Sequence, residues 1–161
     1  MFLVSACLAG LNTRYDGTNC CKRYFKSLVA QGKAFPVCPE QLGGLPTPRE
    51  SIELAGGDGQ AVLKGRIKAI GKKSGKDYTK NLLRGADEVL KIAAMLKIKK
   101  AFLKDGSPSC GSSYIKAEGK KIKGKGVTTA ALLKAGIKVQ LINSKIKYQK
   151  SKFWRGEISI K

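Results

Sequence analysis

The chain has 161 residues, enough for one domain with a real core, and 42% of them are hydrophobic. It contains no histidine, which excludes Ser-His-Asp and Cys-His nucleophile systems, His-containing zinc sites and histidine-ligated haem. Lys and Arg outnumber Asp and Glu by 32 to 11, a formal net charge of +21 that attracts phosphates and polyanions. Lysines spread over solvated faces produce the same number, so bulk surface charge stands beside selection for a nucleotide or RNA. No run of 18 or more apolar residues is present, which argues against a membrane span. Residues 1–11 have no basic region before them and make a poor signal peptide. Val4-Ser5-Ala6-Cys7 has the form of a lipoprotein cleavage box but comes too early in the chain for export. The cysteine count is five, an odd number, which points to a reducing, cytoplasmic setting with free or metal-bound thiols.

In chain order the pattern is α/β. Residues 2–6 read as a short apolar strand, followed by a polar loop from Leu8 to an Asp16-Gly17 turn. Cys20 to Ala30 carries Tyr24, Phe25, Leu28 and Val29 at helical spacing, and Gly32 can stop it. Residues 34–38 form a second strand, and Pro39 to Glu50 a rigid Pro- and Gly-rich loop. Ala61 to Ile70 alternates apolar and basic residues, as in a peripheral strand or hairpin arm. Lys76 to Leu96 is the clearest helix. Asp77 or Thr79 can cap it, and Leu82, Leu83, Ala86, Val89, Leu90, Ala93 and Ala94 form its buried stripe. Residues 100–104 form a third strand, followed by a tight Ser107–Gly111 loop and an irregular stretch through Gly126. A short helix over Thr128 to Ala135 and a fourth strand over Ile137 to Ile142 complete the pattern. This alternation predicts a single three-layer, Rossmann-like domain with a mostly parallel sheet of about four core strands over residues 1–142. Residues 143–161 are a basic C-terminal extension.

Three cysteines share one setting. Cys7, Cys38 and Cys110 each follow a short apolar run and sit directly before or within turn residues. If the runs are parallel strands, their carboxyl ends lie at one sheet edge, where open α/β folds place ligands. Each could equally be a buried structural thiol. Without histidine, cysteine is the soft ligand present in quantity, and thiolates select zinc, copper(I) or iron–sulfur clusters. No Cys-x-x-Cys is present, so zinc-ribbon and ferredoxin spacings are absent. Cys20-Cys21 falls at the start of the first helix, whose dipole would lower a thiol pKa there. Gly119 to Gly126 mimics a phosphate loop but has Gly126 where Ser or Thr is required, which rejects a nucleoside triphosphatase. A glycine-rich turn opening a helix can still bind an anion through backbone N–H groups, and a plain turn with a Thr cap fits as well.

The motifs together resemble the thiouracil desulfidase family. The resemblance is carried by Val4-Ser5-Ala6-Cys7-Leu8-Ala9-Gly10, by Arg14-Tyr15-Asp16-Gly17, and by the block from Cys38-Pro39-Glu40 to Pro48-Arg49. It continues in Asp77-Tyr78-Thr79 with Gly85-Ala86, in Ser107-Pro108-Ser109-Cys110-Gly111, and in Gly124-Lys125-Gly126-Val127-Thr128. It implies a [4Fe–4S] cluster on Cys7, Cys38 and Cys110 with one open iron, and Glu40 and Ser107 as catalytic carboxylate and hydroxyl. It implies removal of sulfur from a thiolated pyrimidine, C=S to C=O, without net redox change. The alternative for Glu40 is a salt bridge to Arg14 or Arg49. The charge favours a phosphorylated substrate, such as a thiouridine monophosphate, or thiolated tRNA. Arg14, Arg49, Lys104, Gly124, Gly126 and Thr128 are the candidates for its anion. The second reading, from another class, is an RNA-binding protein whose cysteines hold a structural metal. Cys20 and Cys21 are the rivals for the fourth position on a cluster.

Overall fold

In a computed structural model, which describes residues 1–142, four parallel strands form the central sheet in the order β2-β1-β5-β8. These are β1 (Phe2–Ser5), β2 (Ala34–Val37), β5 (Lys100–Lys104) and β8 (Lys138–Ile142). β1 pairs with β2 through Phe2↔Ala34 to Ser5↔Val37 and with β5 through Leu3↔Ala101 and Val4↔Phe102. Both faces of the sheet are covered, as parallel sheets require. Leu3, Ala101 and Leu103 face a core built on α4 (Thr79–Met95) and α5 (Val127–Lys134), with Val89, Ala93 and Leu132. Val4 and Phe102, one residue out of phase, face Phe25 of α1 (Arg23–Ala30) on the other side. That period of 2 is why the short apolar runs are strands. The three layers are those of a single Rossmann-like domain. Pro36 is tolerated because β2 is an edge strand.

β1 is flanked by β2 on one side and β5 on the other, so the chain reverses its direction of winding between β1 and β5. The crevice at their carboxyl ends is where such sheets bind ligands. β1 runs directly into a buried 3₁₀ turn (Ala6–Ala9), and β2 into the short helix α2 (Pro39–Leu42) with proline at its start. α2 is clamped on α4 by a very close backbone approach. A Cβ on Gly85 would lie 1.9 Å from the Pro39 carbonyl oxygen, so only glycine fits.

Several local expectations differ. Pro39 to Glu50 is not all loop, because α2 opens it. Ala61 to Ile70 is not one strand. It divides into the end of α3 (Gly59–Leu63), capped by the Asp58 carboxylate, and β4 (Ala69–Gly71), which pairs antiparallel with β3 (Ile52–Leu54). The alternating residues mislead because the Asp58 cap and Val62 burial select a helix first. The stretch after Gly111 is not irregular. It forms a hairpin, β6 (Tyr114–Ala117) and β7 (Lys120–Lys123), reversing through Glu118 and Gly119, both at positive φ. α1 starts at Arg23, so Cys20 and Cys21 precede it rather than open it. On α4, Ala94 is exposed, and Thr79 spends its hydroxyl accepting from the Ala69 amide instead of capping. Residues 143–161, the expected extension, lie outside the described residues.

Candidate active site

The carboxyl ends of β1, β2 and β5 enclose a cavity of about 260 Å³. Its lining includes Cys7, Cys38 and Cys110, together with Arg14, Glu40, Arg49, Lys104 and Ser107. A cavity of that size, below the ~300 Å³ typical of drug-sized ligands, suits a compact one. Cys7 and Cys110 are buried and Cys38 is half-buried, with its thiol 3.6 Å from the Thr13 carbonyl oxygen. Among the described residues no three His, Cys, Asp or Glu side chains lie close enough to share one metal ion. Three thiols spread around one cavity fit the other demand, that of a polynuclear cluster whose ligands each hold a different iron. Cys7, Cys38 and Cys110 are therefore the residues that could hold such a group.

The thiols differ electrostatically. Cys7 is raised strongly, because it donates a hydrogen bond to Cys20 and is buried. Cys20 is pulled down to about 7, by that same bond and, against its burial, by Lys104, Arg14 and Lys22. The helix start invoked for Cys20 plays no part, since its nearest helical residue is Arg23. Burial pushes Cys110 up to about 12. Coordinating thiols must lose their protons, so metal binding at Cys7 and Cys110 would release them.

Glu40 sits on the first turn of α2, two residues after Cys38, and is buried. Its Oε2 accepts from Arg49 Nε at 2.7 Å. Its Oε1 accepts from Ser109 Oγ at 3.1 Å and Ser107 Oγ at 3.3 Å. Of the two arginines considered as salt-bridge partners, Arg49 is the one engaged. Three more of its donors go to the Pro46 and Thr13 carbonyl oxygens and Thr47 Oγ1, so four of the five guanidinium N–H groups are engaged inside the protein. It orients Glu40. Ser107 Oγ also accepts from the Ser109 and Cys110 amides, which ties the hydroxyl to the backbone carrying the third thiol.

The loop bearing Ser107 and Cys110 is held from two sides. Asp105 is buried and accepts from the Ser112, Ser113 and Tyr114 amides and from the Ser113 hydroxyl. Burial raises its pKa, but these hydrogen bonds outweigh it and hold the carboxyl below its ordinary value. From the other side, α5 donates its first amides to the loop: Gly126 to Gly111, Val127 to Pro108, and Thr128 to Ser109. A Cβ on Gly126 would lie 2.4 Å from the Ser109 carbonyl carbon.

This corrects the anion site expected at Gly124, Gly126 and Thr128. Their amides are spent on the carbonyls of Ser113, Gly111 and Ser109, and none of the three lines the cavity. Nor does Thr128 cap the helix, because its hydroxyl is buried without a hydrogen-bond partner. Arg14 and Lys104 do line the cavity. Arg14 is paired with Asp16 at 3.1 Å, and Lys104 Nζ donates to the Asp105 carbonyl oxygen at 2.6 Å. Residues that pattern reasoning did not single out are Thr13, Ser109, Asp105, Tyr114 and Lys116. Ser109 was visible within Ser-Pro-Ser-Cys. Tyr114 and Lys116 depended on the hairpin, whose signal was the alternation of Tyr114 to Ala117 before Glu118-Gly119.

The chain is thus a parallel α/β domain whose sheet edge carries three thiols beside a buried carboxylate–arginine pair. A model of the 2-thiouracil desulfurase family matches residues 2–144. The chain belongs to that family. It is 44% identical over 142 residues to the uncharacterized protein YbbK of Bacillus subtilis (strain 168), covering 86% of this chain and 93% of that protein. It is 39% identical to a solved [4Fe-4S]-dependent thiouracil desulfidase, TudS. The TM-score is 0.75, with 87% of this chain and 89% of TudS covered. Among the described residues no helix is long and apolar enough to cross a membrane. Neither the comparisons nor the cavity supports RNA binding.

Proposed function

We propose that this protein is an iron–sulfur-dependent desulfidase that converts the C=S group of a thiolated pyrimidine to C=O by hydrolysis, releasing hydrosulfide. The observation that carries the reading is the convergence of Cys7, Cys38 and Cys110 on the cavity that also holds Glu40 and Ser107. The family match and the likeness to a [4Fe-4S]-dependent desulfidase support it. A [4Fe–4S] cluster on these three thiols, with one iron free of protein ligands, would supply a thiophilic Lewis acid that holds the thiocarbonyl sulfur and polarises its carbon.

The chain's own groups supply the rest. Arg49 pairs with one carboxylate oxygen of Glu40 and fixes the group in place. Oε1, bonded only to serine hydroxyls, is then the oxygen that takes a proton from the attacking water. Ser107 orients that water or passes its proton to Oε1. The balance is C=S plus H₂O giving C=O plus HS⁻ and a proton, with no external electrons. The free base and thiouridine monophosphate are both candidate substrates.

The test is anaerobic purification followed by iron and sulfide analysis. A brown protein with about four irons, lost in Cys38→Ala, is expected. A colourless protein holding a single zinc would sink the cluster assignment. Sulfide release is then compared for thiouracil, thiouridine monophosphate and thiolated tRNA under matched salt. Release from none of them would remove the desulfidase assignment.

A further inference from the structure

Cys20 is a thiol that the chemistry above leaves unused. It does not line the cavity, yet it is hydrogen-bonded to Cys7, the buried thiol after β1 that does. We propose that Cys7 and Cys20 form a disulfide site. In the protein without a cluster, a small-molecule disulfide such as glutathione disulfide joins them, and the bond takes Cys7 out of the ligand set until a thiol reverses it. The bond itself rests on the contact of the two side chains. Its consequence for a cluster rests on the reading of Cys7 as a ligand.

The backbone holds the pair together. The Cys20 amide donates to the Cys7 carbonyl oxygen at 3.1 Å and the Lys22 amide to the Leu8 carbonyl oxygen at 2.8 Å, which lays residues 20–22 along the 3₁₀ turn. Main-chain pairing of this kind keeps Cα atoms about 5.5 Å apart in strands, within the ~4.4–6.8 Å that disulfides bridge. The neighbouring thiol is directed elsewhere. The Cys21 amide donates to Asn19 Oδ1, and its Sγ packs on Gly10, where an added Cβ would lie 3.1 Å from it. Cys20 is half-buried and Cys7 is buried, which sets the order of steps. Cys20 attacks the small disulfide, forms a mixed disulfide and releases one thiol. Cys7 then attacks the Cys20 sulfur and displaces the second thiol. Two protein S–H groups and one small disulfide become one protein disulfide and two small thiols, so atoms and electrons balance. The new bond closes the loop that carries Thr13 and Arg14, both on the cavity wall.

The test needs no turnover. Cluster-free protein is treated with glutathione disulfide, its remaining thiols are alkylated, and it is digested with trypsin without reduction. Cleavage after Arg14 and after Lys22 puts Cys7 and Cys20 on separate peptides, with Cys21 beside Cys20. The two peptides should appear as one disulfide-linked mass in wild type and in Cys21→Ser, and the link should be lost in Cys20→Ser. No link in wild type, a link retained in Cys20→Ser or lost in Cys21→Ser, or Cys7 joined instead to Cys38 or Cys110, would overturn the site. In cluster-loaded protein the linked mass should be absent, because the Cys7 sulfur is then on iron. Its appearance there with full iron content would leave the disulfide site standing and count against Cys7 as a ligand, and so against the cluster reading alone.

Discussion

The cavity has two walls of different origin. One is the carboxyl edge of the parallel sheet, where the turns after β1, β2 and β5 bring Cys7, Cys38 and Cys110 together with Glu40 and Ser107. The other is the β6–β7 hairpin with Tyr114 and Lys116. In the first wall Ser107 and Ser109 are both bonded to Glu40, and the Ser109, Cys110 and Gly111 amides of the loop are engaged within the protein. The second presents exposed lysines on a two-stranded unit held by a few carboxylates. The difference suggests a division of labour. Chemistry needs groups fixed within fractions of an ångström, and parallel strands with buried networks provide that. A wall that carries solvated charge tolerates longer, mobile side chains.

The sharpest way to break that division is at Glu40. Glu40→Gln keeps the shape but removes the negative charge, and sulfide release should drop by about 10²- to 10³-fold with iron content retained. Unchanged release would move the base elsewhere. Gly126→Ala comes next, because its Cβ would collide with the Ser109 backbone and displace the third thiol's loop. Chemical denaturation should register about 3 kcal/mol of lost stability. Stability equal to wild type would mean the loop and α5 can part freely.

Arg49→Lys is expected to cost less, about ten-fold in kcat/KM. One ammonium cannot reach Glu40, Thr13, Pro46 and Thr47 together. Full activity would reduce Arg49 to a spectator. The smallest effect should come from Glu50, which does not itself line the cavity. Its carboxylate accepts from Ser74 and Tyr78, and these bonds hold its pKa at about 2, against an ordinary 4.5. A depressed folded-state pKa stabilises the protein above the unfolded value and is lost as pH falls through the folded one. The melting difference between wild type and Glu50→Gln should therefore be present above pH 4.5 and vanish toward pH 2. A difference constant across that window would show the charge does not matter.

The sheet was readable because its signal is local. Val4 and Phe102 belong to short apolar runs that end in cysteine and turn residues, and strands buried on both faces need little more. The Cys-Pro-Glu and Ser-Pro-Ser-Cys-Gly blocks were readable for the same reason. The hairpins were not. Ala61 to Ile70 alternates like a strand, yet the Asp58 cap turns its first half into helix. Tyr114 to Lys123 is rich in lysine and weakly apolar, and only Ile115 packing against Leu54 and Val127 makes it a β unit. The anion site at Gly124 to Thr128 failed because a free helix N-terminus cannot be told from one already filled by another loop.

The class of fold, the three thiols and the carboxylate that travels with one of them can be read along the chain, because each depends on neighbours within a few residues. Tertiary structure decided which charges are free to act. Arg49, Arg14, Lys104 and Lys116 are equivalent cations in the chain. The order of β2, β1 and β5 and the docking of the β6–β7 hairpin give Arg49 to Glu40, Lys104 to a backbone carbonyl, and Lys116 to solvent at the cavity rim. A charge's role depends on which partners reach it first, and those partners lie up to dozens of residues away.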